Sequence, residues 1–111
     1  MAQSDIVSLH LPSNPQTKGM ISRAMLQEMK PTAILINVAR GAVVDNTALA
    51  EALNQEKIAG AGIDVFDMEP HLPEKYPLLR AKHTVLTSHV AFATEESLFR
   101  RAELVLRNVE A

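Results

Sequence analysis

The sequence predicts the α/β class: a parallel sheet with flanking helices. Two observations carry this. Short, nearly unbroken apolar runs alternate with stretches that carry helix caps and an apolar stripe. Proline and glycine stand at the junctions between them. Strands that alternate with helices in this way imply right-handed βαβ crossovers, and hence parallel strands.

Asp5 to Leu11 reads as a first strand, its Ile6, Val7, Leu9 and Leu11 nearly continuous, as suits a strand covered on both faces. Pro12-Ser13-Asn14-Pro15 ends it, because proline cannot extend a ladder. Ser22 is placed to cap a helix to about Lys30, with Met25, Leu26 and Met29 on one face and Pro31 as its stop. Ala33 to Val38 is a second buried-type strand, and Gly41 is expected to permit the turn after it. Asp45 or Asn46 caps the next helix, with Leu49, Ala52 and Leu53 as its inner stripe. Ile58 to Val65 is a third strand, whose Gly60, Ala61 and Gly62 are small enough for a helix to approach closely. A loop punctuated by Pro70, Pro73 and Pro77 leads to a short fourth strand, Thr84 to Thr87. Thr94 caps a final helix with Leu98, Ala102, Val105 and Val109 along one face. That helix is still in stride at Ala111, so the sequence is expected to be cut from a longer protein.

The 111 residues suffice for one small domain, and 47% apolar residues can build its core. A net charge of -2 and a pI near 6.1 give no reason to expect nucleic acid or a membrane surface as partner. No apolar run approaches the roughly 20 residues of a membrane span, and the N-terminus has no signal-peptide pattern. The absence of cysteine removes disulfide and thiolate chemistry and fits a cytoplasmic setting. His71, His83 and His89 lack metal-ligand spacing with a carboxylate, so no metal is expected. Gly60-Ala61-Gly62 has the look of a phosphate loop but lies within a strand, with Val65 at the third glycine position. Ser88-His89 has no nucleophile elbow around it.

In open α/β sheets, ligands bind beyond the carboxyl ends of the strands. Arg40, Asp64, Glu69 and His89 all follow predicted strands, and parallel neighbours would gather them along one edge. Oxidation of a 2-hydroxy acid by a nicotinamide cofactor needs such a set. Arginine supplies a planar, permanently charged fork for a carboxylate. Histidine titrates near neutrality, and a carboxylate beside it stabilises the imidazolium and fixes the tautomer. Taken singly, each residue also has an ordinary reading as a surface charge, a loop carboxylate or a structural imidazole.

The flanking words sharpen the set. Asp5-Ile6-Val7-Ser8-Leu9-His10-Leu11-Pro12 with Thr17-Lys18-Gly19-Met20-Ile21, then Asn37 to Asp45, Gly62 to Pro70, and Ser88 to Glu96, together resemble the D-isomer-specific 2-hydroxyacid dehydrogenases (the phosphoglycerate, D-lactate and glyoxylate types). The resemblance covers most of the chain. It implies a partial Rossmann-like sheet, residues 1–111 being the C-terminal part of a dinucleotide-binding domain without the glycine-rich first βαβ unit. It implies Arg40 as the carboxylate-binding arginine, His89 as the acid–base histidine and Glu69 as its partner. It also implies cofactor contacts at His10, Pro12, Val38, Ala39, Arg40, Asp64, His89 and Ala91. NAD is the implied cofactor, with NADP left open, and a small 2-hydroxy or 2-oxo acid the implied substrate. Two positions depart from the pattern: Ser88 stands where many members have proline, and Phe92, three residues after His89, resembles the lactate-type branch.

The alternative reading is an NAD-sensing corepressor of the same fold. Without the phosphate loop the isolated chain is expected to bind NAD poorly and to turn over little. An unpaired sheet edge and bare apolar faces lead to an expectation of homo-oligomers, dimers first.

Overall fold

The computed structural model describes residues 1–111. Four strands, β1 (Ile6–Leu9), β2 (Ile34–Asn37), β3 (Gly60–Ile63) and β4 (Thr84–Leu86), form one parallel sheet in the order β1-β2-β3-β4. Ile6 pairs with Ile34 and Ile34 with Gly60, while Ile63 pairs with Leu86. Between the strands run α1 (Arg23–Gln27) and α2 (Asn46–Asn54), and α3 (Glu95–Glu110) closes the chain.

The strands are shorter than the apolar runs suggest. β1 stops at Leu9 because its partner stops at Asn37, whose side chain leaves the ladder to cap the turn beyond. α1 also ends early: the amides of Glu28 and Met29 reach back only three residues, to Met25 and Leu26, which tightens the last turn before Pro31. Ser22 and Thr94 cap as expected, their hydroxyls accepting from the amides of Met25 and Ser97. Between the two candidate caps of α2, the structure selects Asp45, whose carboxylate accepts from the Ala48 amide at 3.0 Å.

A sheet with its strands in sequence order and right-handed crossovers must carry every connection on the same face. That explains the largest departure from expectation: the strands are covered on one face, not two. On the covered face Leu9, Leu35, Ala61 and Ile63 pack with Leu26 and Met29 from the α1 segment, with Leu49 and Leu53 of α2, and with Tyr76 and Leu78 from the loop before β4. On the other face Ile6 remains 62% exposed and Val85 69%. Gly60 and Gly62 lie on this bare side by register, so no helix of the chain approaches them. At Gly60 a Cβ would instead stand 3.1 Å from the His83 carbonyl oxygen. α3 has no buried residue: Leu98, Ala102, Val105 and Val109 on its apolar face all remain exposed.

Candidate active site

β2 delivers Arg40 through a buried polar device absent from the sequence reading. Asn37 is fully buried; its Oδ1 accepts from the Ala39 amide and its Nδ2 donates to the Arg40 carbonyl, both at 3.1 Å. An asparagine inside the run Ala33-Ile34-Leu35-Ile36-Asn37-Val38 was the available signal, since a buried amide needs partners. The Arg40 guanidinium remains exposed, with Nη1 donating to the Ala39 carbonyl at 2.6 Å. No hydrogen bond or ion pair joins Arg40 to Glu69 or His89 within the chain.

Gly41 has a different purpose from the one expected. Its φ is not in the left-handed region, so the turn alone does not demand glycine. A Cβ there would lie 2.1 Å from the Phe66 carbonyl carbon and 2.2 Å from the Asp67 nitrogen. Glycine is required by close approach: the loop after β2 rests on the loop after β3.

Asp64, 3% exposed, directly follows β3, and its carboxylate turns back into the protein. Oδ1 accepts from the Thr87 hydroxyl at 2.6 Å and the Val90 amide at 2.8 Å; Oδ2 accepts from the Ala91 amide at 2.9 Å. Burial alone would push this carboxyl up, but the Thr87 hydroxyl, the Ala91 and Val90 amides and the nearby His89 outweigh it and hold it below the usual aspartate range. Two successive amides aimed at one carboxylate form an anion nest, and the turn that makes it places His89 at φ 60°, a left-handed conformation that histidine adopts more readily than most residues. Asp64 thus ties the loop carrying His89 to the end of β3, and the Ala91 amide is already engaged.

His89 and Glu69 stand together. His89 Nδ1 lies 2.7 Å from Glu69 Oε2, while Glu69 Oε1 accepts from the Phe66 amide at 2.8 Å. Burial pushes the Glu69 carboxyl up, yet its bond to His89, the Phe66 amide and the charge of His89 together draw it below the usual glutamate range. An ionised carboxylate can only accept, so Nδ1 carries the proton. Nε2 makes no hydrogen bond within the chain and is left free.

Two recesses flank these groups. One, of about 340 Å³, is lined by His10, Leu11, Pro12, Val38, Ala39 and Arg40 beyond β1 and β2. The other, of about 330 Å³, is lined by Phe66, Glu69, Pro70, Leu72, Ser88 and His89 beyond β3 and β4. His10 Nε2 shares a hydrogen bond of 2.7 Å with Ser8 Oγ. Phe92 carries the Arg101 guanidinium 5.2 Å from its ring centroid. A larger cavity of about 670 Å³, between Gly19, the start of α2 and the Asp67–Pro77 loop, contains none of Arg40, Glu69 or His89.

A parallel sheet whose polar groups collect beyond its carboxyl ends defines the class of open α/β domains that bind ligands at that edge. Comparison with known proteins gives the particular family. Residues 1–91 match the family model described as D-isomer specific 2-hydroxyacid dehydrogenase, NAD binding domain. The whole chain is 49% identical over 111 residues to a glyoxylate reductase of Thermofilum pendens and covers 32% of it. Among solved structures, the NAD-complexed D-isomer specific 2-hydroxyacid dehydrogenase of Lactobacillus delbrueckii ssp. bulgaricus superposes with TM-score 0.83 at 42% identity, over 95% of this chain and 36% of that one. An acyclic imino acid reductase in complex with NADPH and D-Arg gives TM-score 0.87 at 34% identity, over 99% and 34%. The chain belongs to the D-isomer specific 2-hydroxyacid dehydrogenase family, within its NAD binding domain. It spans about a third of the length of the relatives it matches.

Proposed function

We propose that the chain is the C-terminal part of the cofactor domain of an NAD(P)-dependent oxidoreductase that interconverts a small 2-hydroxy acid and its 2-oxo acid. The observation that carries this reading is the His89–Glu69 pair, which presents a free Nε2 at the carboxyl end of the sheet. The apolar walls of the recess beyond β1 and β2 (Leu11, Pro12, Val38, Ala39) suit the flat face of a nicotinamide ring. A bound nicotinamide cofactor would supply or accept the hydride.

The chain's own residues do the rest. Arg40, exposed beside that recess, grips the substrate carboxylate. His89 gives a proton from Nε2 to the carbonyl oxygen during reduction and takes it back during oxidation. Glu69 holds the Nδ1 proton and stabilises the imidazolium before transfer. Asp64 and Ala91 keep the His89 loop in place, and His10, Pro12, Val38 and Ala39 line the cofactor's path. Seven of the matched relatives carry glyoxylate reductase or glyoxylate/hydroxypyruvate reductase as their names, which favours those 2-oxo acids.

The test is NADH- and NADPH-dependent reduction of glyoxylate and hydroxypyruvate by the longer protein containing these residues. His89→Asn should lower kcat by roughly 10²–10⁴-fold, and Arg40→Lys should weaken substrate binding more than cofactor binding. Full activity in His89→Asn would overturn the assignment. The 111-residue chain alone should turn over little, because it carries no glycine-rich phosphate loop; robust turnover by it would overturn the reading as part of a larger domain. Association between copies belongs to the same proposal, given the bare sheet face and the uncovered α3, and light scattering of the chain tests it.

A further inference from the structure

Glu69 lies in an exposed loop, yet its position is set closely: one oxygen must meet the Phe66 amide and the other His89 Nδ1. The reason lies in the two residues before Met68. On one side the Phe66–Asp67 backbone presses against Gly41, where not even a methyl group fits. On the other side stands Tyr76, 4% exposed and part of the hydrophobic core. Its ring meets Phe66 edge-on at a centroid distance of 5.8 Å and an angle of 80°. Its hydroxyl donates to Asp67 Oδ1. The Phe66–Asp67 backbone is therefore held between a glycine on the β2 side and a core tyrosine on the α2 side.

We infer that the Tyr76–Asp67 hydrogen bond is a positioning clasp: it anchors the loop bearing Glu69 to the core, and thereby aligns the Glu69 carboxylate on His89 Nδ1. The inference rests on the proposed acid–base role of that pair. Tyr76 is a positioning residue, touching neither Glu69 nor His89 by hydrogen bond. A buried phenol needs a partner, and Asp67 is that partner. Burial, with Asp67 beside it, raises the phenol well above its usual range, so the hydroxyl stays protonated and donates across the pH range of catalysis. Without the clasp, Asp67 loses its anchor to the core and the Phe66 amide is no longer presented at a fixed place. Glu69 then loses the contact that orients its second oxygen.

The experiment begins with Tyr76→Phe, which deletes one oxygen and keeps the ring against Phe66. Nitrogen-15 NMR of the His89 ring in the 111-residue chain reads the Nδ1–H tautomer that Glu69 enforces. The expected result is a fall in that tautomer's share of the neutral ring, with the fold retained. Asp67→Ala should reproduce it. Asp67→Asn, whose amide oxygen still accepts from a phenol, should remain near the parent. The double variant should be no worse than either single one, as for two ends of one interaction. In the longer enzyme, Tyr76→Phe should lower kcat about tenfold and leave KM for the 2-oxo acid nearly unchanged. An unchanged tautomer population in both Tyr76→Phe and Asp67→Ala would overturn the clasp. If Tyr76→Phe fails to fold, the Asp67→Ala and Asp67→Asn pair decides alone. An inactive parent enzyme would refute the proposed function, while the NMR comparison would still decide the clasp.

Discussion

Replacing Asp64 with asparagine tests the site at its tightest point. Three donors converge on two carboxylate oxygens: the Thr87 hydroxyl and Val90 amide on one, the Ala91 amide on the other. Asparagine keeps one acceptor. With its oxygen toward Thr87 and Val90, its NH₂ faces the Ala91 amide, donor against donor. Flipped, it faces the Val90 amide, although the Thr87 hydroxyl can rotate to accept. Either way one backbone amide loses its partner, at about 1–3 kcal/mol, and the surviving bonds lose their charge assistance, worth about 1 kcal/mol more. The sum, roughly 2–4 kcal/mol, is a large share of a small domain's stability and corresponds to a fall in Tm of roughly 10–20 °C.

Thermal unfolding of the 111-residue chain by circular dichroism at pH 7 measures it, and acid provides the internal control. The folded Asp64 carboxyl lies below its unfolded value, so its stabilisation is complete above that value and is lost as pH falls through the folded one. The parent's Tm should fall steeply only below about pH 4, where the two proteins converge. A loss under about 3 °C at pH 7, against the roughly 10–20 °C expected, or a gap that persists unchanged into acid, would refute the view of Asp64 as a charged clamp.

Other substitutions test the remaining supports. Gly41→Ala must push the Phe66–Asp67 backbone away, so it should destabilise by about 1–3 kcal/mol and weaken the His89–Glu69 contact, read in the His89 ring spectrum. Asn37→Ala strips two hydrogen bonds, one of them buried, from the Arg40 turn and should cost about 1–3 kcal/mol by urea denaturation. Leu53→Ala, at a site with 0% exposure in the core, should cost about 2–5 kcal/mol in the same assay. Val85→Thr on the bare sheet face should change the stability of the 111-residue chain by less than about 0.5 kcal/mol, since that side chain is 69% exposed.

The fold was legible because each level of the sequence pointed the same way. The caps Ser22, Asp45 and Thr94, the breakers Pro12 and Pro31, and the apolar runs between them agree with one another. Strand ends were less legible, because a ladder stops where its partner stops, and the side chain of Asn37, the last paired residue of β2, caps the turn beyond it. The bare face of the sheet is a property of strand order, which apolar runs do not encode. Leu35 and Ile34 read alike in sequence, yet one is fully buried and the other 39% exposed.

The site divides along the same line. Arg40, Asp64, Glu69 and His89 stood out because charged or titrating residues in the short segments that follow apolar strands are chemically conspicuous. Their supports did not, since Gly41, Phe66, Asp67 and Tyr76 act through contacts between loops distant in sequence. Gly41 illustrates the difference: as a letter it suggests a turn, and in three dimensions it is a clearance between two loops. Chemistry concentrates in a few residue types and can be read from them one at a time. Positioning is distributed over ordinary residues that matter only as neighbours. The alignment of Glu69 on His89 depends on an aromatic ring, a phenol and a missing methyl group, none of which is reactive, and that is why the reactive residues could be named before the structure that aims them.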